Sequence, residues 1–282
     1  MLLADLRKQY HQRICQEIVR IQAGHSPYPN FADKTNKASR EIAWNILSQI
    51  GYEEKETEEL AGQTAGGRFE EITRDYLEKA FEQLQHLRPG KWIYTTSIPI
   101  SEFEQYEHLA RLQKLIETSS DLSSVLGSEY IIVPDIVIAR APLDDREINR
   151  FENLIQGTSL ARYTPLRSVN QQRYLLHASV SCKWTLRSDR SQNARSEALN
   201  LIRQRKGSTP HIVVVVAEPL PSRIASLALG TGDIDCVYHF ALPELQTAIA
   251  NIQNEDQLDM LKTLIEGRRL RDISDLPFDL AV

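Results

Sequence analysis

The stretch Tyr174-Leu175-Leu176-His177-Ala178-Ser179-Val180-Ser181-Cys182-Lys183-Trp184 reads as a β-strand with two unlike faces. Alternation places Leu176, Ala178, Val180, Cys182 and Trp184 on one side and His177, Ser179, Ser181 and Lys183 on the other. The first set belongs in a core. The second puts Ser181 and Lys183 about 7 Å apart on one polar face. A lysine so placed can steady an attacking water and offset negative charge developing in a reaction. Equally, it can snorkel to solvent from the strand end.

Upstream, Ile131-Ile132-Val133-Pro134-Asp135-Ile136-Val137-Ile138 is an apolar run with one carboxylate inside it, within a strand expected over Tyr130–Ala139. Burying an unpaired ionised carboxylate costs several kcal/mol, on the order of a broken buried ion pair, so Asp135 should meet a cation, a metal or a set of strong donors. Further strands are expected at Trp92–Ser97, His211–Ala217 and Cys236–Phe240. Ile212 to Val216 is unbroken and β-branched, as in a central strand covered on both faces.

Helical spacing appears over residues 3 to about 22, from about Asn36 to Ile50, and from about Gly67 to Leu87, where Glu70 stands near the start beside a buried stripe. A further helix begins near Arg190, with Ala194, Ala198, Leu201 and Ile202 as its buried stripe and Glu197 at its border. Taken singly, Glu197 reads as a surface residue. Strands and helices interleave, so the expected architecture is α/β: a central mixed β-sheet flanked by α-helices. No repeat or Pro/Gly/Ser-rich linker divides residues 1–282, which are expected to form a single domain.

At 41% hydrophobic residues the 282-residue chain can bury a substantial core. It has no apolar run near the roughly 18 residues needed to span a bilayer. The N-terminus alternates apolar with charged residues, so a soluble, cytoplasmic protein is expected. Cys15, Cys182 and Cys236 are odd in number and lack the CxxC spacing of a zinc site, so any metal should be held by oxygen. The net charge is −5. Between Lys183 and Lys206, however, seven basic residues face only Asp189 and Glu197, a local +5 that leaves −10 elsewhere. That distribution suits a protein gripping a polyanion at one place, although a solvated helix face is the commoner cause of such a run.

A Pro-Asp on one strand, a Lys on the next and a nearby carboxylate resemble the PD-(D/E)xK nucleases. Ser181 stands where that pattern usually has its acid. One branch draws the missing carboxylate from the following helix, and Glu197 matches that place. The likeness extends to the type II (type IIF) restriction endonucleases that cut GCCGGC. It runs through Gly62-Gln63-Thr64, His86-Leu87-Arg88-Pro89-Gly90, Leu176 to Trp184, Arg187-Ser188-Asp189-Arg190, Gln192 to Glu197, Pro221-Ser222-Arg223-Ile224, Gly230-Thr231-Gly232, Ile234 to Phe240 and Asp272 to Pro277. The first sixty residues are less similar.

The resemblance implies a restriction-endonuclease-like core and Mg²⁺-dependent cleavage of double-stranded DNA leaving 5′ overhangs, within a restriction-modification system. It also implies a homotetramer engaging two sites. It assigns catalysis to Asp135, Lys183 and Glu197, with Glu70 and Ser181 in the same site. Metal ligation falls to Asp135 and Glu197, together with the Cys182 carbonyl, and Glu70 would support a second metal or the water network.

Arginine can give guanine two hydrogen bonds and a carboxylate can accept from cytosine N4. Arg187, Asp189 and Arg190 supply that chemistry for CCGG, as the resemblance implies, although a local salt-bridge cluster has the same composition. Asp33 and Arg223 are the implied readers of the outer base pair, and Gln63 and Thr35 the implied minor-groove contacts. The alternatives are a structure-selective or repair nuclease of the same superfamily, and a non-catalytic DNA-binding module in which Ser181 marks a lost site. A nucleotide-binding enzyme using Gly230-Thr231-Gly232 is a further option, but that string lacks the full glycine fingerprint.

Overall fold

A computed structural model describes residues 2–23, 26–53, 60–118, 131–157, 159–186, 188–230 and 232–282, with residues 188–191 described by backbone alone. In chain order these form α1 (Leu3–Glu17), β1 (Ile21–Gln22), β2 (Tyr28–Pro29), α2 (Lys37–Gln49), α3 (Gly62–Gln83), β3 (Trp92–Thr96), two short 3₁₀ turns, α4 (Glu107–Glu117), β4 (Ile136–Arg140) and α5 (Asp145–Ile148). Then follow β5 (Leu175–Lys183), α6 (Ser188–Gln204), β6 (His211–Val216), α7 (Pro221–Ala228), β7 (Cys236–His239), α8 (Leu242–Ile252), α9 (Glu255–Glu266), β8 (Leu270–Asp272) and α10 (Leu276–Asp279).

Six strands make one sheet in the order β3-β4-β5-β6-β7-β8. The β3/β4 and β4/β5 pairs are antiparallel, and β5 to β8 run parallel. The sheet is therefore mixed, with helices between its parallel strands, as the interleaved pattern predicts. Both faces of β4 and β6 are buried, which makes the sheet a middle layer. On one face α3 lays Phe81 against Trp92 and Tyr94, while Phe69 and Phe31 enclose Trp184.

Local chemistry sets the helix ends. Asn36 caps α2 by accepting from the Ser39 N–H at 2.9 Å, and Asn254 caps α9 by accepting from Gln257 at 3.1 Å. Pro221 and Pro243 stand in the first turns of α7 and α8, where a missing N–H is harmless. Arg7 on α1 ties itself to Glu244 and Asp272, so the N-terminal helix is anchored to the far end of the chain.

Four sequence expectations change. The helix expected over residues 3 to about 22 ends at Glu17, and Ile21–Gln22 instead pairs with Tyr28–Pro29 as a short antiparallel ladder. The strand expected over Tyr130–Ala139 starts only at Ile136, because Pro134 has no N–H to give a ladder; Tyr130 lies outside the described residues. The helix expected from Gly67 begins at Gly62, so Glu70 sits in its third turn instead of at its start. His177 belongs to the opposite face from Ser181. Ile138 pairs with Ala178 but Ala139 pairs with Leu176, which leaves His177 as an extra residue in β5. Such a bulge shifts the alternation by one. The His177 ring accordingly lies against Trp92 and Phe81 on the α3 side, and its Nε2 meets the Leu280 carbonyl at 2.8 Å.

Candidate active site and base-reading cleft

The difference in length between β4 and β5 creates a notch. Ile136 pairs with Val180, and β5 continues for three more residues with no β4 partner. Asp135, just ahead of β4, fills the gap. Its Oδ2 accepts from the Cys182 N–H at 2.7 Å, the Ser181 hydroxyl at 3.1 Å and Lys183 Nζ at 3.0 Å. The donor set expected of this lone carboxylate is thus present, and all three donors come from the end of β5. Asp135 and Lys183 keep 25% and 16% side-chain exposure, enough for a ligand to reach them.

Two more carboxylates face the same pair. Glu70, from α3, is half-buried, and desolvation together with the Asp135 charge pushes its pKa up to about 7 against the opposing pull of Lys183. Glu197, from α6, is also raised by burial, with Lys183 opposing and Asp135 reinforcing the shift. One ammonium therefore stands among three carboxylates.

Among the described residues no three His, Cys, Asp or Glu side chains form a closed metal cage. A hard cation needs only one or two carboxylates here if water and phosphate oxygens complete its shell, which is how Mg²⁺ is commonly held. The oxygen-only donor set and the shortage of positive charge fit such an ion.

Cys182 divides its roles. Its side chain is 5% exposed and desolvation holds the thiol well above its usual pKa, so the sulfur belongs to the core. The Lys183 carbonyl points to β6, where it accepts from Ala217. By strand alternation the Cys182 carbonyl turns to the opposite side, toward Asp135. Ser181 orients Asp135 through its hydroxyl.

Beyond Lys183 the chain passes through Thr185 and Leu186 into the wall of a cleft of about 770 Å³. Asp33, Thr35 and Arg223 also line it. The Asp33 pKa falls to about 2, first because the Thr35 N–H donates to it, and further because the Thr35 hydroxyl and Arg223 do. Asp33 and Arg223 are thus brought together and paired with each other. Gln63 is exposed in the first turn of α3, on the helix that carries Glu70. Arg187 lies outside the described residues; Asp189 and Arg190 occupy the first turn of α6, and nothing further is described of their side chains.

Sequence reasoning missed Glu218, which is 1% exposed at the cleft. A signal existed: like Asp135, it is a lone acid beside a proline at the end of an apolar run, Ile212 to Ala217 followed by Glu218-Pro219. Gly230 also acquires a role. A Cβ there would strike the Arg195 guanidinium, which donates to the Leu227 carbonyl and so joins α6 to α7. This packing accounts for the glycine without a nucleotide; Thr231 lies outside the described residues.

A family model described as NgoMIV restriction enzyme matches residues 10–282. The chain is 47% identical over 286 aligned positions to the type II restriction enzyme NgoMIV of Neisseria gonorrhoeae, covering all of this chain and 99% of the relative. Among solved structures, Bse634I restriction endonuclease is similar with a TM-score of 0.37 at 12% identity, over 86% of this chain and 98% of that one. Type IIF restriction endonuclease Bse634I with cognate DNA gives 0.34 at 14% identity, over 96% and 99%.

Proposed function

Given that the chain belongs to the NgoMIV restriction enzyme family and is a type II restriction endonuclease, we propose that it cuts double-stranded DNA at GCCGGC, using Mg²⁺ and leaving 5′ overhangs. The observation that carries this reading is the notch. Asp135 is held by three donors from the end of β5, and two carboxylates of raised pKa from separate helices face the same lysine.

In this reading Asp135 and Glu197, with the Cys182 carbonyl, hold the ion, which when bound supplies Lewis-acid neutralisation of phosphate charge. Lys183 offers its ammonium to the charge that develops at the scissile phosphate. Glu70, whose pKa is raised chiefly by burial, stands beside Asp135 and would support a second metal or the water around it. Ser181 keeps Asp135 aimed. The products are a 5′-phosphate and a 3′-hydroxyl. Arg187, Asp189 and Arg190 read CCGG, Asp33 and Arg223 read the outer pair, and Gln63 and Thr35 approach the minor groove.

The 282 residues act as one catalytic domain in the cytoplasm, assembled as a homotetramer on two sites. In support, apolar residues from Leu6 to Leu280 belong to one connected core, and among the described residues no helix is long and apolar enough to cross a membrane. The test is digestion of plasmids carrying zero, one or two GCCGGC sites with Mg²⁺, followed by sequencing of the ends. Ends within GCCGGC and fastest turnover of the two-site plasmid are expected. Cutting of the plasmid without a site, or none at all, would overturn the assignment.

A further inference from the structure

Glu218 lies two residues beyond the end of β6 and is fixed from several sides. Its Oε2 accepts from the Leu186 N–H at 3.3 Å and its Oε1 from the Leu220 N–H at 3.2 Å. Its own carbonyl meets Nε2 of the buried His239 at 3.2 Å, while Nδ1 of that ring accepts from the Ala241 N–H, which makes Nε2 the donor. The carboxylate thus joins two places that matter for reading DNA. Leu186 immediately precedes Arg187, and Leu220 immediately precedes the helix bearing Arg223.

Two backbone N–H groups satisfy hydrogen bonds but leave the charge of a buried carboxylate uncompensated. Arg223 supplies the compensation, with Nη1 3.7 Å from Glu218 Oε2. Arg223 also grips Asp33, so its guanidinium bridges two acids. Reading an outer G·C pair asks Asp33 to accept from cytosine and Arg223 to donate to guanine. Asp33 must then share its oxygens with the base, and Glu218 becomes the fixed partner of Arg223. Five N–H donors let a guanidinium serve guanine and a carboxylate together.

We propose that Glu218 is a positioning residue for sequence recognition, holding Arg223 in line with the outer guanine and fixing Leu186 at the root of the inner-reading segment, so that inner and outer readers keep one register. This rests on the reading of Asp33 and Arg223 as the outer-pair contacts. Burial raises the Glu218 pKa to about 7 despite the opposing charge of Arg223, so the carboxylate is best tested at pH 8, where it is ionised.

The experiment measures binding of the full chain to GCCGGC and ACCGGT duplexes, with Ca²⁺ in place of Mg²⁺, for the wild type, Glu218→Gln, Arg223→Ala and the double variant. The wild type should prefer GCCGGC by about tenfold or more. Glu218→Gln should lose most of that preference while remaining folded, with a single cooperative thermal transition. The double variant should lose no more than Arg223→Ala alone, since the two act as one unit. Preference retained in Glu218→Gln, or additive losses in the double variant, would overturn the proposal. A wild type that binds both duplexes equally would instead overturn the outer-pair reading, and this proposal with it. Should Glu218→Gln fail to fold, Glu218→Asp keeps the charge but withdraws it by one methylene, and unchanged preference in that variant is equally contrary.

Discussion

The notch at the end of β5 and the cleft beside it hold opposite charge arrangements. In the notch the Lys183 ammonium faces Asp135, Glu70 and Glu197, and Glu70 and Glu197 have raised pKa values because burial desolvates them and the Asp135 charge adds to the shift. In the cleft Arg223 is engaged on both sides, by Asp33 and by Glu218, and Asp33 is held near 2 by the donors around it. A site that takes up a cation works best short of positive charge. A site that reads base edges can keep its donor and acceptor paired until a base offers each a better partner. In the proposed reading, the difference separates the chemistry of cutting from the chemistry of choosing.

The largest break should come from Lys183→Ala, which removes the ammonium that meets Asp135 in the notch. Cutting of GCCGGC should fall on the order of a thousandfold, the scale of losing a group that meets developing charge, with binding little changed. Glu197→Gln should come next, at roughly a hundredfold in rate, accompanied by a higher Mg²⁺ requirement in a metal titration, because a second-helix ligand is lost while Asp135 remains. Wild-type Mg²⁺ dependence in that variant would remove Glu197 from the ion's ligands.

On the cleft side, Asp33→Ala should leave the cutting rate at saturating GCCGGC intact and reduce discrimination against ACCGGT by roughly tenfold, one bidentate contact being worth about 1–3 kcal/mol. Ser181→Ala tests how much the notch depends on orientation. Losing one of three donors to Asp135 should cost about 1 kcal/mol, or a few-fold in rate.

A separate effect, on stability instead of on cutting, concerns pH. Glu218 faces Arg223 and Asp33, and its folded pKa of about 7 lies above the 4.5 of an ordinary glutamate. Between those values the folded chain binds a proton that the unfolded chain has released, so the stability due to this group is full below about pH 4.5 and is lost as pH rises through 7. In denaturant titrations, stability of the wild type relative to Glu218→Gln should decline across that interval. A flat difference would mean that Glu218 is ionised throughout.

The sheet was legible because its strands are dense in β-branched residues and bounded by turns, and four of the five expected strands fall within a residue or two of their places. Proline set the limit at Ile131 to Asp135, where hydrophobicity suggested a strand that the backbone could not continue. Strand β8, Leu270–Asp272, is too short to show a period. His177 was placed on the wrong face because a bulge depends on the register with β4, which no single strand encodes. Alternation brought Ser181 and Lys183 to one face, and Asp135 stood out as a lone carboxylate in an apolar run, but their roles came from the resemblance. Glu197 and Glu70 needed the resemblance, since a carboxylate at the edge of a helix stripe looks the same whether it faces solvent or a metal. Glu218 escaped because its distant partners, the Leu186 N–H and the His239 ring, come from other parts of the chain that its own stretch of sequence does not reveal.

The central claim is that the notch cuts and the cleft chooses, and Asp135→Asn tests it most directly. Its binding to a GCCGGC duplex and its cutting of that duplex with Mg²⁺ should be measured side by side with the wild type. Binding within a few-fold of wild type, with cutting slowed on the order of a thousandfold, is the expected result. Cutting at the wild-type rate, or loss of binding in step with loss of cutting, would contradict it.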